Sequence, residues 1–315
     1  MPRIATLTLN PAVDVATGTA AVRPTSKLRC DAPRRDPGGG GINVARVVRE
    51  LGGDAVAVYP AGGPWGQVLG ALLDDLGIAQ CRVPITGETR ESFTVDAHDS
   101  GLQYRFVLPG PTLAPAEQAA CLAAIGTMSP APAFVVVSGS HPPGLPLAIH
   151  DDLLALCRRI GARLVVDSSG EPLRHALAAG GLHLVKPSLS ELAGVLGHAP
   201  EGDAERGAAL QTLVARGAAE IVVLSLGEEG ALMATRDGLE RLPPFRVDAR
   251  SAVGAGDSMV AAMTLALARG LSPAEAVRYG MAAGAAAVMS PGTELCRRED
   301  VERLFAQGPE TVPVS

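Results

Sequence analysis

Short apolar runs alternate with longer amphipathic stretches along most of the chain. Strand patterns occupy residues 134–137, 164–166, 183–185 and 221–225. Helix patterns lie between them, at about 146–160, 171–178, 188–195 and 203–216. Upstream, helix patterns at 44–51 and 68–76 flank a strand pattern at 55–58. Continuous apolar strands that alternate with helices are typical of a parallel sheet covered on both faces, so we predict an α/β fold with a mainly parallel central sheet.

Two regions depart from this alternation of strands and helices. Residues 11–36 and 86–108 contain alternating segments without helix signals, as in Glu91-Ser-Phe-Thr-Val-Asp96. A period of two predicts half-buried antiparallel strands. We therefore expect a small second sheet built from these two insertions, which would cover the main sheet as a lid or pair with a second subunit.

Composition narrows the classes of function. The chain has 315 residues, 47% of them hydrophobic, and a net charge of -6. A negative charge without a block of Lys or Arg argues against nucleic acid or an anionic membrane as partner. The five cysteines are scattered and odd in number, which indicates reduced thiols in a cytoplasm. No signal-peptide pattern precedes the first strand pattern, and no apolar stretch reaches the length of a membrane span.

The most informative segment is Val253-Gly-Ala-Gly-Asp257, where two glycines lead into a carboxylate and then into an Ala-rich helix pattern at 259–268. Backbone N–H groups at the start of a helix converge on one point, which suits a phosphate or the charge that develops during phosphoryl transfer. There Asp257 could take a proton from an attacking hydroxyl, with the amides of Ala255, Gly256 and Asp257 facing the transferred group. The alternative is a tight turn in which Asp257 is only the N-cap of the helix.

Four consecutive glycines, residues 38–41, open the helix pattern that contains Asn43. Ordering four glycines costs chain entropy, so a close approach of the backbone to another group is expected. Either the segment forms the floor of a site for a polyhydroxy substrate, with Asn43 bonded to a hydroxyl, or it is a flexible turn. The third small residue of a dinucleotide-binding fingerprint is missing in both registers.

Three further segments have both a functional and a structural interpretation. Asp14 follows the first strand pattern, where open α/β sheets build their sites, but a turn residue would look the same. Ser188 and Glu191 match a helix capping box, which we favour over a role of Glu191 beside a magnesium ion and its waters. The segment Ser225-Leu-Gly-Glu-Glu-Gly230 could be a hairpin turn or a surface under a nucleotide.

Three cations, Lys27, Arg90 and Arg105, lie in the two insertions. A lone Arg on such a strand is usually solvated. Three cations on one small sheet could instead hold a phosphorylated substrate, with Arg90 offering bidentate geometry.

In this order, the motifs resemble the signatures of the PfkB family of sugar kinases, which have the ribokinase fold. Gly-Gly-Gly-Gly-Ile-Asn43 is similar to the first family signature and Val253-Gly-Ala-Gly-Asp257-Ser-Met259 to the second. Residues 6–11, 26–30, 103–107 and 165–170 look most like the phosphofructokinase-2 branch of the family. The resemblance covers essentially the whole chain. It implies a single ribokinase-like kinase domain over residues 1–315, with a β lid from about 11–36 and 86–108 and a homodimer formed through that lid.

The resemblance also implies ATP- and Mg²⁺-dependent phosphorylation of fructose 6-phosphate at its 1-hydroxyl, the glycolytic step that gives fructose 1,6-bisphosphate. Asp257 would be the base, and the anion hole would comprise Gly254, Ala255 and Gly256. The residues assigned in this way to the sugar phosphate are Asp14, Lys27, Gly39, Asn43, Arg90, Arg105 and Ser140. Those assigned to ATP are Lys186, Ser188, Ser225, Gly227 and Gly230. Glu191 would meet Mg²⁺ through water, and a K⁺ ion would be held near Ser251, Val253, Ala287, Ser290 and Gly292.

Two residues depart from the family pattern and keep alternatives open. Ser188 stands where the N-x-x-E magnesium and phosphate motif has Asn, and Glu294 stands where the phosphofructokinase-2 branch has Arg. Within the family, tagatose-6-phosphate kinase and 1-phosphofructokinase activity are alternatives, although Gly40 stands where 1-phosphofructokinases usually carry Lys. A catalytically inactive protein that binds sugar phosphate or nucleotide on the same fold is a further alternative. A nicotinamide dehydrogenase and a Walker-type NTPase are disfavoured, because their glycine motifs are missing.

Overall fold

The computed structural model describes residues 2–249, 253–290, 294–308 and 312–313. The strands in this part of the chain are β1 (Arg3–Leu7), β2 (Ala12–Thr19), β3 (Arg34–Gly38), β4 (Asp54–Ala61), β5 (Ala79–Pro84), β6 (Arg90–Ala97), β7 (Leu102–Val107), β8 (Phe134–Ser138), β9 (Arg163–Asp167), β10 (Leu182–Val185), β11 (Ala219–Ser225), β12 (Ala231–Thr235), β13 (Gly238–Leu242) and β14 (Val312–Pro313). The α-helices are α1 (Gly40–Glu50), α2 (Gly63–Asp75), α3 (Pro115–Gly126), α4 (Ile149–Ile160), α5 (Gly170–Ala179), α6 (Leu189–Leu196), α7 (Gly202–Ala215), α8 (Ala255–Ala268), α9 (Pro273–Met289) and α10 (Arg298–Gln307).

The main sheet has the strand order β14-β13-β12-β11-β10-β9-β8-β1-β4-β5 within the described residues. The strands from β11 to β5 in that order pair in parallel. The strands β12, β13 and β14 continue the sheet in antiparallel pairs. Every residue of β8 and of β10 is buried, as expected for strands that are apolar apart from Ser138 and His183. The mainly parallel central sheet predicted from the sequence is confirmed.

Helices cover both faces of the main sheet. On one face α1, α8, α9 and α10 share a core with strand residues such as Ile4 and Tyr59. On the other face α3, α4, α5 and α7 share a core with residues such as Leu7 and Val137. Successive side chains of a strand point to opposite faces, so each buried strand contributes to both cores. Among the described residues, no helix combines the length and the apolar character that crossing a membrane requires.

The second sheet has the strand order β3-β2-β6-β7. The pairs β2–β3 and β6–β7 are antiparallel, as expected. However, β2 and β6 pair in parallel, so the expectation of wholly antiparallel strands is wrong. The reason is the connection between them: the chain passes through β4, α2 and β5 of the main body before β6, and a crossover of this kind returns a strand in the same direction.

Candidate active site

Four polar side chains meet at the carboxyl ends of the central strands. Ser138 and Asp167 are the last residues of β8 and β9 and lie in register with each other. Lys186 directly follows β10, and Asp257 approaches the same edge from the first turn of α8. Open α/β sheets build their sites at this edge. Asp167 is missing from the residues predicted above, although the strand-end position that identified Asp14 applies to it equally.

Asp257 is the third residue of α8, and Gly254, with a φ of 76°, is the N-cap. No side-chain capping bond is present, so the alternative in which Asp257 is only the N-cap is wrong. Instead, Asn43 Nδ2 donates to Asp257 Oδ2 at 2.9 Å, and Ser138 Oγ donates to Oδ1 at 3.4 Å. Burial, together with the negative charge of Asp167, raises the pKa of Asp257 to about 6. Such a carboxylate is mostly ionised at pH 7 and is a stronger base than an ordinary Asp.

The raised pKa of Asp257 gives the stability of the fold a pH dependence. The carboxylate ionises at a higher pH in the folded chain, about 6, than in the unfolded chain, 3.8. Ionisation of Asp257 therefore lowers the free energy of unfolding. This loss is complete above about pH 6, where it reaches about 3 kcal/mol at most, and it is absent below the pKa of the unfolded chain. We expect Asp257→Asn to melt at a higher temperature than the parent at pH 8, and this gap to narrow as the pH falls through 6.

Calorimetry of both proteins at pH 8, 6.5 and 5 measures that gap. The exposed Asp75 of α2 offers a matched control, and Asp75→Asn should leave the melting temperature close to the parent's at each pH. A gap for Asp257→Asn that stays constant or widens on acidification would contradict the raised pKa.

The first turn of α8 presents backbone amides beside a cation. The first backbone hydrogen bond of the turn runs from Ser258 N to Gly254 O at 2.9 Å. The N–H groups of residues 255–257 come before this bond and therefore have no acceptor within the helix. A Cβ placed on Gly256 would lie 3.7 Å from Lys186 Nζ. The positive end of the helix and the Lys186 ammonium thus face the same space, which suits a phosphate group.

Lys186 and Asp167 form a buried ion pair. Nζ lies 3.4 Å from Asp167 Oδ1, and the two side chains are only 7% and 15% exposed. Burial by itself lowers the pKa of Lys186, but the carboxylates of Asp167, Glu191 and Asp257 outweigh burial and raise it. Lys186 is therefore an ammonium ion at neutral pH and offsets part of the negative charge around Asp257.

The tetraglycine segment packs against the chain's own backbone. A Cβ placed on Gly40 would lie 2.3 Å from Ser138 Oγ and 2.7 Å from the amide nitrogen of Gly139. Gly39, the N-cap of α1, has a φ of 114°, which residues with side chains rarely adopt. The expected close approach is therefore present, and the group approached is the end of β8. This contact brings Asn43 of α1 to the carboxyl edge of the main sheet.

Because Gly40 touches the end of β8, we expect Gly40→Ala to destabilise the fold by about 1–3 kcal/mol. The added methyl group would push α1 away from the edge of the sheet. Gly194, in α6, is a matched control, because a Cβ there meets no atom within 4 Å. Gly194→Ala should be neutral or slightly stabilising, since Ala favours a helix. Urea unfolding measures both, and equal stabilities of the two variants would contradict the close contact.

Asp14 and two of the predicted cations come together on the second sheet. Burial raises the pKa of Asp14 to about 6, although the positive charges of Arg90 and Arg105 act in the opposite direction. Arg90 donates to the carbonyl oxygens of Asn10 and Leu108, both at 3.0 Å. These bonds hold the guanidinium beside Asp14 at the junction of the two sheets.

The remaining residues predicted for a sugar phosphate divide into two groups. A Cβ placed on Gly38 would lie 2.3 Å from Asp14 Oδ2, so Asp14 directly adjoins the glycine segment that contains Gly39. Ser140 Oγ accepts a hydrogen bond from Asn10 Nδ2 at 3.2 Å. Lys27, in contrast, lies exposed in the 20–29 loop, and none of the described residues forms a hydrogen bond or ion pair with it.

A cavity of about 870 Å³ opens beside Lys186 and the start of α8. The residues predicted for a nucleotide that line it are Lys186, Ser225, Gly227 and Gly230. Ala255 and Gly256 line it too. Residues 244–247 and one side of α9 also contribute to the lining, and no motif in the sequence points to them. The segment 225–230 is also the turn between the antiparallel strands β11 and β12, so the hairpin interpretation is confirmed, and the interpretation as a nucleotide surface stays a prediction. The volume is in the range of small-molecule sites.

Ser188 lies outside the described lining of this cavity and is the N-cap of α6. Its Oγ accepts from Glu191 N at 3.3 Å, and its own N–H donates to Glu191 Oε2 at 2.7 Å. The predicted capping box is confirmed. Glu191 also interacts electrostatically with Lys186 and Asp167. No group of three or more His, Cys, Asp or Glu side chains among the described residues is arranged to hold a metal ion directly.

Two of the residues predicted for K⁺, Ser251 and Gly292, lie outside the described residues. Val253 directly precedes the N-cap of α8, and Ala287 and Ser290 lie at the end of α9. Ser290 Oγ donates to the carbonyl oxygen of Leu295 at 3.2 Å. The assignment of these residues to K⁺ stays a prediction.

The sequence matches the family of pfkB carbohydrate kinases over residues 7–300. The chain belongs to this family. It is 49% identical over 313 residues to the ATP-dependent 6-phosphofructokinase isozyme 2 of Mycobacterium tuberculosis. The alignment covers 99% of this chain and 92% of the M. tuberculosis protein. The resemblance to PfkB sugar kinases, and with it the prediction of a phosphotransferase acting on a sugar hydroxyl, is confirmed.

Solved structures agree with the family assignment. Crystal structures of Escherichia coli phosphofructokinase-2 in complex with fructose-6-phosphate and with potassium superimpose with TM-scores of 0.91 and 0.93, at 43% and 44% identity. Each superposition covers 97% of this chain and 99% of the E. coli chain. A ribokinase from Thermotoga maritima, 19% identical with a TM-score of 0.76, covers 98% of this chain and 100% of its own and shows the fold alone. The predicted ribokinase-like fold is confirmed.

Proposed function

We propose that this chain catalyses the ATP-dependent phosphorylation of fructose 6-phosphate at its 1-hydroxyl. One observation carries the proposal: Asp257 contacts Asn43 at the tetraglycine segment, while Ala255 and Gly256 of the same turn line the large cavity. A basic carboxylate at the boundary between an acceptor site and a nucleotide site is what phosphoryl transfer to a hydroxyl needs. The names of the similar proteins from M. tuberculosis and E. coli support fructose 6-phosphate as the acceptor.

In this proposal the sugar phosphate lies between the second sheet and the tetraglycine segment. Asp14 and Asn43 would hydrogen-bond its hydroxyls, and the guanidinium of Arg90 would bind the 6-phosphate, with Arg105 adding positive charge. The exposed 20–29 loop would fold inward over the bound phosphate and bring Lys27 to it. The residues that would complete the floor of the site are Gly39 and Ser140.

The transfer step uses the groups at the start of α8. Asp257 would accept the proton of the 1-hydroxyl while the hydroxyl oxygen bonds to the γ-phosphorus and the bond from that phosphorus to the ADP oxygen breaks. The amides of Ala255, Gly256 and Asp257 and the Lys186 ammonium would stabilise the charge on the transferred group. Asp257 would release the proton to water after the product leaves.

The chain offers suitable groups for both ions of the proposal. Mg²⁺ bound to the nucleotide phosphates would neutralise part of their charge. Glu191 suits a contact with Mg²⁺ through water, because its carboxylate is fixed by Ser188 N and interacts with Lys186. For K⁺, the carbonyl groups at the C-terminal end of α9, near Ala287 and Ser290, are appropriate ligands.

A panel of acceptors tests the proposed function. The release of ADP is measured with ATP, Mg²⁺ and each of fructose 6-phosphate, tagatose 6-phosphate and fructose 1-phosphate. The proposal expects the highest kcat/KM with fructose 6-phosphate. A higher value with either of the other sugars would reassign the acceptor. Binding of sugar phosphate without ADP release from any of the three would support an inactive binding protein instead.

We further propose that the chain forms a homodimer through the second sheet. Leu102 and Phe106 lie on the same face of β7 and are 58% and 53% exposed, and exposed apolar side chains of this kind are typical of an interface. We expect Phe106→Asp to yield monomers in sedimentation experiments. Leu76, 45% exposed after α2, is a matched control whose replacement by Asp should leave the dimer intact. A dimer that persists in Phe106→Asp would contradict this interface.

We also propose a cytoplasmic location. All five cysteines have free thiols, as proteins of reducing compartments usually do.

A further inference from the structure

Arg46 lies on α1, one turn after Asn43, and its side chain reaches back toward the glycine segment. Its Nη1 donates to Asn43 Oδ1 at 3.1 Å and to the carbonyl oxygen of Pro37 at 3.2 Å. Pro37 directly precedes the four glycines, and Asn43 is the residue whose amide contacts Asp257. One guanidinium nitrogen therefore connects the start of the glycine segment to the side chain that holds the proposed base.

The partners of Asn43 allow only one orientation of its amide group. Its NH₂ donates to Asp257 Oδ2, and its oxygen accepts from Arg46. A carboxylate only accepts hydrogen bonds and a guanidinium only donates them. A rotation of the amide by 180° would place oxygen against carboxylate and NH₂ against guanidinium, with the loss of both bonds. Without the Arg46 donor, Asp257 is the one hydrogen-bond partner among the described residues that still opposes that rotation.

Arg46 also interacts electrostatically with Asp14 and Asp257, the two carboxylates of the site whose pKa is raised to about 6. Burial lowers the pKa of Arg46, and the negative charges of Asp36, Asp14 and Asp257 oppose this effect, while Arg34 adds to it. The guanidinium is charged at any working pH. Its positive charge thus acts on Asp14 at the sugar side and on Asp257 at the base position.

We propose that Arg46 is a positioning residue for phosphoryl transfer: by holding the oxygen of Asn43, it keeps the Asn43 NH₂ on Asp257 and fixes that carboxylate toward the acceptor hydroxyl. This inference rests on the proposed function. Arg46 is not among the described residues that line the nucleotide cavity, so the binding of ATP should not depend on it.

Three variants test the role of Arg46. Arg46→Met removes the donor and keeps an unbranched side chain, whereas Arg46→Lys keeps an ammonium that can donate to both oxygens. Arg49→Met makes the same change at an exposed position of α1. We expect Arg46→Met to lower kcat on the order of 10- to 100-fold, with little change in the KM for ATP. Arg46→Lys should recover most of the activity, and Arg49→Met should match the parent.

A double-mutant cycle with Asn43→Ala separates positioning from a general structural role. If Arg46 acts through Asn43, Arg46→Met should have almost no further effect on kcat when Asn43 is already Ala. Three results would each overturn the inference. The effects of the two substitutions on kcat could multiply, Arg46→Lys could be as slow as Arg46→Met, or Arg46→Met could be as fast as the parent. Each kcat is expressed as a ratio to the parent's kcat, measured with the acceptor that the parent uses best. If that acceptor is not fructose 6-phosphate, the proposed function is corrected and the test of Arg46 still stands.

A second measurement needs no turnover and covers the case of an inactive parent. The difference in melting temperature between a protein and its Asp257→Asn derivative measures the contribution of Asp257 to stability. This difference changes with pH. Removal of Arg46 should move the midpoint of that change to higher pH. Two charged groups face Asp257 from the main sheet: Asp167 at the end of β9 and Lys186 directly after β10. Both are the same in all variants. An unchanged midpoint would overturn the inference.

Discussion

We expect Asp257→Asn to lower kcat by about a thousandfold, with only small changes in the KM for ATP and for the sugar phosphate. An Asn side chain has almost the same shape, but its amide cannot accept the proton of the acceptor hydroxyl. It also lacks the charge that Asn43 and Ser138 now orient. Steady-state assays of ADP release at pH 8, with both substrates varied, measure the effect.

The parent enzyme provides a further check on the base. The pKa of Asp257 is raised to about 6 by burial and by Asp167, so the carboxylate should lose its activity as a base when the pH falls below about 6. The variant should lack the part of the acid limb that Asp257 causes, whereas any part that Asp14 causes at the sugar site should remain in both proteins. Asp75→Asn should behave as the parent does. A turnover of Asp257→Asn within about tenfold of the parent's would refute the role of Asp257 as general base.

We expect Lys186→Met to have the second largest effect and to act on both stability and activity. Removal of one member of a buried ion pair costs about 3–5 kcal/mol, because the other charge is left buried and unpaired. Here Asp167 would be left without its cation, directly beside Asp257. The activity should fall on the order of a hundredfold, because the cation beside the amides of α8 is lost.

A second substitution separates the two effects of Lys186. In Lys186→Met with Asp167→Asn, both charges of the ion pair are removed, so most of the lost stability should return. The activity should not return, because Lys186 Nζ is still absent from the space in front of Gly256. Urea unfolding and ADP-release assays measure the two effects separately. A single variant Lys186→Met as stable as the parent, or a double variant as active as the parent, would contradict this account of the pair.

The main sheet could be predicted because its central strands carry their signal locally. The run 134–137 has apolar residues on both faces, as a strand covered by two helix layers must. The strand β13 has no such signal: it is half-buried along four of its five residues and is stabilised by its antiparallel partner β12. The parallel pairing of β2 with β6 depends on a crossover through the main body, which the period of two cannot reveal.

The same distinction between local and distant contacts applies to the site. The capping box of Ser188 and Glu191 lies within one helical turn, and the sequence is sufficient to identify it. Asn43 and Asp257 are 214 residues apart, and nothing in their spacing indicates a hydrogen bond between them. Asp167 acquires its importance from its ion pair with Lys186, which directly follows the neighbouring strand β10. Strand ends and glycine turns thus identify candidates, but only the packing of the fold shows which of them touch.

The central claim is that Asp257 lies between the acceptor hydroxyl and the γ-phosphate. A crystal structure with fructose 6-phosphate and a non-hydrolysable ATP analogue tests it most directly. We expect the 1-hydroxyl oxygen within about 2.6–3.2 Å of an Asp257 carboxylate oxygen and about 3–3.5 Å from the γ-phosphorus. A sugar whose 1-hydroxyl lies out of reach of Asp257, or a nucleotide whose γ-phosphate lies away from the first turn of α8, would contradict the account.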